Sequence, residues 1–116
     1  MGQRHVLVIF NHAPYGSIYY NEGLRAAVGV TSGVDEHSVD LLYLGEGVRF
    51  ALKGTDRRDS ARYLATLASF GAKLRAEREA LAERGIEEDD LAEDVELLDR
   101  RQALELVRRA DLTIDF

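Results

Sequence analysis

The sequence predicts an α/β protein: a three-layer α/β/α sandwich around a mainly parallel five-stranded sheet, with residues 1–116 forming one domain. Three observations lead there. Short, β-rich apolar runs recur along the chain, among them HVLVIF, SVDLLYL and DVELL. Segments with helical spacing of apolar residues lie between them. The first runs are nearly continuous in apolar residues, as strands buried on both faces of a parallel sheet must be. Strands alternating with helices of roughly 10–15 residues indicate βαβ units and a sheet covered on both sides.

Taken in order, RHVLVIF at 4–10 is the first strand and residues 11–16 are the turn that follows it. A helix is expected from Ser17, a natural N-cap, to about Val30, with Tyr20, Leu24, Ala27 and Val28 on its inner face. TSGVDEH is a loop in which Gly33 stops the helix. SVDLLYL at 38–44 is the second strand, and GEGVRFALKGTD a loop with a short helical turn. Ser60 to Phe70 is a helix with Tyr63, Leu64, Leu67 and Ala68 inward, ended by Gly71.

The stretch AKLRAEREALAERGI is where two principles conflict. Its Ala, Leu, Glu and Arg content suits one long helix. The βα alternation instead requires a strand near Lys73–Glu77 and a short helix from about Glu79 to Arg84, and this second reading is adopted. EEDDLAED is a solvated acidic loop, DVELL at 94–98 the fourth strand, Arg100–Arg109 a helix with Ala103, Leu106 and Val107 inward, and LTIDF the fifth strand.

Composition excludes several functions. The net charge of −6 argues against an extended nucleic-acid footprint, although Lys53, Arg57 and Arg58 form one local basic patch. No apolar run approaches the roughly 18 residues that span a bilayer, and the N-terminus lacks the marks of a signal peptide. The expected compartment is the cytoplasm, with no membrane and no direct nucleic-acid partner. The chain contains no cysteine, so it has no disulfide, no thiolate nucleophile and no thiolate metal ligand. His5, His12 and His37 share no ligand spacing, so no metal site is expected, and no cofactor either.

In a parallel sheet, ligands bind beyond the carboxyl ends of the strands. The loops there contribute the candidate binding residues His12, Tyr15, Gly16, Ser17, Glu46 and Glu77. The first turn has a single glycine, Gly16, where a dinucleotide or Walker loop needs several. Free N–H groups at the first helix start would still favour an anion. Glu46 and Glu77 are candidates for a carboxylate pair above the sheet, against a plain reading as separate loop charges. Ser17 near His12 lacks the context of a catalytic serine. No catalytic residue is assigned. Of Tyr15, Tyr19 and Tyr20, at least one belongs to the core, and the others suit a subunit contact.

The order Phe10, Ala13-Pro14, Gly16, Glu22-Gly23-Leu24, then Glu46-Gly47-Val48, then Leu81 with Arg84-Gly85-Ile86, and finally ADLTIDF resembles the DsrE/DsrF/TusC-like family over nearly the whole chain. Among its branches, the cysteine-lacking DsrF/TusC one is the most similar. The resemblance implies an α/β/α sandwich and a place in sulfur trafficking, either tRNA thiolation or sulfur oxidation. It also implies assembly as a homo-oligomer or with a cysteine-bearing paralogue. In the carrier branch a cysteine near the end of the third strand holds persulfide sulfur, and the corresponding position here is about Glu77. A carboxylate cannot do this, so the chain is not expected to be a sulfurtransferase by itself. The expectation is a non-catalytic accessory subunit of such an assembly. The alternatives are a stand-alone homo-oligomer binding a small anion, and a cysteine-independent enzyme using Glu46 or Glu77 as a base.

Overall fold

The computed structural model describes residues 4–12, 19–31 and 37–116. The expected helix start at Ser17, the tight turn through Pro14 and Gly16, and Gly33 lie outside them.

Five strands form one sheet in the order β4-β3-β2-β1-β5, and every pairing is parallel. They are β1 (His5–Phe10), β2 (Ser38–Tyr43), β3 (Leu74–Glu77), β4 (Val95–Leu98) and β5 (Leu112–Asp115). The helices are α1 (Tyr19–Thr31), α2 (Ala61–Ser69), α3 (Arg78–Glu83) and α4 (Arg100–Arg109). A seven-residue 3₁₀ segment covers Gly45–Ala51 where a short turn was expected.

Side-chain alternation explains the layers. From β1, Val6, Val8 and Phe10 enter a large core with Tyr20, Leu24 and Ala27 of α1, Leu64 and Leu67 of α2, and Ala80 and Leu81 of α3. Leu7 and Ile9 face the other way, onto Leu42 and Ala103 of α4. The strand order accounts for this division. The crossovers from β1 to β4 all step in one direction and right-handed connections keep their helices on one face. The crossover from β4 to β5 steps back across the sheet, and α4 covers the opposite face. Ala68 is exposed, not inward as expected, because the narrow stripe of this nine-residue helix is filled by Leu64 and Leu67.

The contested stretch is a strand followed by a short helix. β3 pairs with β2 on one side and β4 on the other, and Ala76 is fully buried between them. Two ladders of backbone hydrogen bonds override the helix propensity of its residues. Arg84-Gly85-Ile86 has a clear physical role. The Gly85 N–H donates to Ala82 O and the Ile86 N–H to Leu81 O, with Gly85 at φ +66°. That is a Schellman stop, and Ile86 packs back onto the core beside it. Gly71 ends α2 the same way, with its N–H donating to Ala68 O and that of Ala72 to Leu67 O.

Glu46-Gly47-Val48 is explained by close approach. The Leu44 N–H donates to Phe10 O at 2.9 Å, drawing the 3₁₀ segment against the end of β1. A Cβ on Gly47 would fall inside the Phe10 carbonyl group, so only glycine fits there. Among the described residues no helix is long and apolar enough to cross a membrane.

Candidate functional site

The strand order also fixes where to look. The chain leaves β3 toward one face, through α3, and leaves the adjacent β4 toward the other, through α4. A crevice opens where neighbouring connections diverge in this way, and ligands in open parallel sheets bind there. Glu77, the last residue of β3, is in register with Leu98, the last of β4. The point where the connections diverge is therefore flanked by Glu77 and by the start of α4.

Glu77 is buried, with 8% of its surface exposed. Its Oε1 accepts from Arg100 Nη2 at 3.0 Å, and the same guanidinium reaches Glu83 at 3.3 Å. Glu77 first, and then Glu83, hold the Arg100 guanidinium still more firmly protonated than usual. The helix-start donors are also taken. The Arg100 N–H donates to Glu79 Oε1 at 2.8 Å. Asp99 forms a capping box with Gln102, accepting from the Gln102 N–H at 2.8 Å while Gln102 Oε1 accepts from the Asp99 N–H at 2.9 Å.

From Arg100 a row of alternating charges runs along α3. Glu83 lies 3.8 Å from Arg84 Nη1, Arg84 donates through Nε to Glu46, and Glu46 accepts from Arg49 Nε at 3.0 Å. Arg84 is further anchored on Ala80 O at 3.0 Å. Hydrogen bonds from Arg84, and next from Arg49, hold the Glu46 carboxyl below the usual carboxylate range. Glu46 and Glu77 therefore stand at separate points of one row, Glu46 between Arg84 and Arg49, and Glu77 on Arg100, which it shares with Glu83.

The remaining sequence candidates disperse. His12 is exposed just beyond β1. Tyr15, Gly16 and Ser17 lie outside the described residues. Tyr20 is the core tyrosine: its ring stacks on Phe50 at 3.9 Å between centroids, and its hydroxyl lies 2.9 Å from that of Tyr43. Burial pushes both phenols up, Tyr43 most strongly. The basic patch is largely neutralised, since Arg57 pairs with Asp94 at 2.7 Å and Arg58 with Asp56 at 2.7 Å. No group of three or more His, Asp or Glu side chains among the described residues converges on a metal site. Sequence reasoning missed Glu83, Arg84 and Arg100 as site residues. The only local signals were the position of Arg84 in the helix stop and of Arg100 just after a capping aspartate.

Comparison with known proteins bears directly on this arrangement. The family model described as the DsrE/DsrF-like family matches residues 4–116. The chain belongs to the DsrE/DsrF-like family. It is 29% identical over 114 residues to the uncharacterized protein MK0008 of Methanopyrus kandleri, covering 96% of this chain and 93% of that one. The fold matches the crystal structure of the ychN protein from E. coli with a TM-score of 0.79 at 21% identity, over 100% of both chains. It also matches MTH1491 from Methanobacterium thermoautotrophicum with a TM-score of 0.67 at 14% identity, over 98% of this chain and 99% of that one. At these identities the two structures speak for the fold alone.

Proposed function

We propose that this chain is a non-catalytic accessory subunit of a DsrE/DsrF/TusC-like sulfur-relay or sulfur-oxidation assembly, packing against itself or a cysteine-bearing paralogue in the cytoplasm. One observation carries the reading: its 116 residues contain no cysteine, and the end of the third strand, where the family resemblance puts a carrier cysteine, holds Glu77 bound to Arg100. A persulfide forms on a thiolate sulfur, and no side chain here supplies one. A buried carboxylate paired with a guanidinium keeps the negative charge and drops the transfer chemistry. That suits a subunit which shapes a hand-over site whose reactive sulfur belongs to another chain.

The test is native mass spectrometry of the protein purified gently from its own cells. The expected result is a complex with a related, cysteine-containing chain that accepts persulfide sulfur and transfers it faster when this subunit is present. A homo-oligomer that neither associates with such a chain nor alters its persulfide transfer overturns the proposal. It would favour the alternative of a stand-alone homo-oligomeric protein that binds a small anion, and any bound mass retained through purification would then identify the ligand.

A further inference from the structure

A cavity of about 660 Å³ lies away from the β3/β4 crevice, among the first turn of α1, the 3₁₀ segment, the following loop and the start of α2. Its volume falls in the range of ordinary small-molecule sites. Its apolar wall is Tyr20, Phe50 and Leu52. Ser60 also lines it, and Ser60 is 97% buried, with 3% of its surface exposed. Although Ser60 precedes α2, its hydroxyl does not cap the helix and has no hydrogen-bond partner among the described residues. No fully occluded side-chain oxygen or nitrogen lacks a partner there, so the little exposure Ser60 keeps reaches its hydroxyl. A nearly buried hydroxyl on a cavity wall, with no protein partner among the described residues, is satisfied by a polar group inside the cavity.

The charges lining the cavity define that group. Asp56 is neutralised by Arg58, and Arg49 engages Glu46 through Nε, leaving its two terminal nitrogens without a protein partner among the described residues. Lys53, Asp59 and Asp90 also line the cavity; among the described residues none of the three is within salt-bridge distance of an opposite charge, Asp59 meeting the Arg58 guanidinium only at longer range. The uncommitted charge is thus cationic at Lys53 and Arg49 and anionic at Asp59 and Asp90. A simple anion would meet two unpaired carboxylates, and a simple cation would meet an unpaired ammonium. A molecule bearing both signs close together satisfies all of them.

We propose that this cavity is a binding site for a free α-amino acid with a large apolar side chain. Its carboxylate is held by Lys53 and Arg49, its ammonium by Asp59 and Asp90, and its side chain lies against Tyr20 and Phe50. Ser60 donates to the carboxylate or accepts from the ammonium. The site is independent of the accessory-subunit reading and stands or falls separately.

The experiment is an NMR titration of the isotope-labelled full chain with three probes: L-phenylalanine, phenylacetate and phenethylamine. Phenylalanine is expected to give saturable amide shifts centred on residues 49–60, with affinity about tenfold tighter than either singly charged probe, the size of one charge-assisted hydrogen bond. Lys53→Met, an exposed change that leaves the fold intact, should bring phenylalanine down to the level of phenethylamine. Ser60→Ala should weaken phenylalanine several-fold, together with whichever singly charged probe carries the group that Ser60 binds. The proposal is overturned if phenylalanine gives no saturable shifts, if its shifts lie elsewhere, if the three probes bind alike, or if Lys53→Met binds phenylalanine as the wild type does.

Discussion

Gly47→Ala isolates the physical reason for the turn that places Glu46. The new methyl would occupy the Phe10 carbonyl and come within 3.0 Å of Asn11 N. Ordinary C···O separations are roughly 3.3 Å or more, so the 3₁₀ segment must retreat by more than about 1 Å. The obstacle is backbone, which cannot rotate aside. The retreat strains the Leu44 N–H to Phe10 O bond and loosens Val48, Phe50 and Ala51, all buried on that segment. Overpacking of this kind costs about 3 kcal/mol. For a chain of this length that is a fall of about 12 °C in the thermal midpoint. Gly29→Ala is the paired control. Gly29 is exposed in the interior of α1 and a Cβ there meets nothing within 4 Å. Replacing it should stabilise by about 0.5–1 kcal/mol, since glycine is the poorer helix former. Both are read by circular-dichroism melts at one concentration and pH. If Gly47→Ala melts within about 2 °C of the wild type, close approach is not what glycine provides there, and the explanation of Glu46-Gly47-Val48 fails.

Removing one hydroxyl from the buried tyrosine pair should cost more than removing both. Tyr20→Phe strands the fully buried Tyr43 hydroxyl and should cost about 1–3 kcal/mol, with part of it regained in the Tyr20→Phe/Tyr43→Phe double variant, as measured by urea midpoints. Because burial raises both phenols in the folded state, their contribution is complete below the ordinary tyrosine value of about 10 and is lost as pH rises beyond it. An alkaline melt series should therefore be flatter in the double variant. Glu46 has the opposite sign. Its lowered folded-state value stabilises above the ordinary carboxylate range and is lost as pH falls through it, so Glu46→Gln should flatten the acid limb of stability below about pH 4. Asp99→Ala removes the capping box of α4 and should lower stability by about 1 kcal/mol, seen as a fall of about 4 °C in the melting midpoint.

What the sequence revealed and what it withheld follow from the range of the interactions involved. β1 and β2 were legible because burial on both faces writes itself as a continuous apolar run. α4 was legible because Ala103, Leu106 and Val107 recur at helical spacing, and the Asp99–Gln102 capping box found in the structure fixes its start. β3 was ambiguous because its residues prefer a helix and only its neighbours, far away in sequence, make it a strand. The same distinction divides the site. Glu46 and Glu77 could be reached from local turns and counting. Their arginine partners could not, since Arg84 lies 38 residues from Glu46 and Arg100 lies 23 from Glu77. No local pattern encodes which guanidinium a carboxylate meets.

Where β3 and β4 diverge, the protein's own charges already occupy the helix start. In parallel sheets that bind phosphates, helix-start N–H groups at such a crevice are left open for the ligand. Here the protein fills them itself. Glu79 takes the Arg100 N–H, Asp99 takes that of Gln102, and Glu77 with Glu83 takes the Arg100 side chain. A small anion arriving there would have to displace several tethered carboxylates while gaining one arginine, and like charges at close range make that unfavourable. A carboxylate held this way instead fixes the shape and charge of the surface. In the zwitterion cavity the position is reversed: Lys53, Asp59 and Asp90 are left uncommitted.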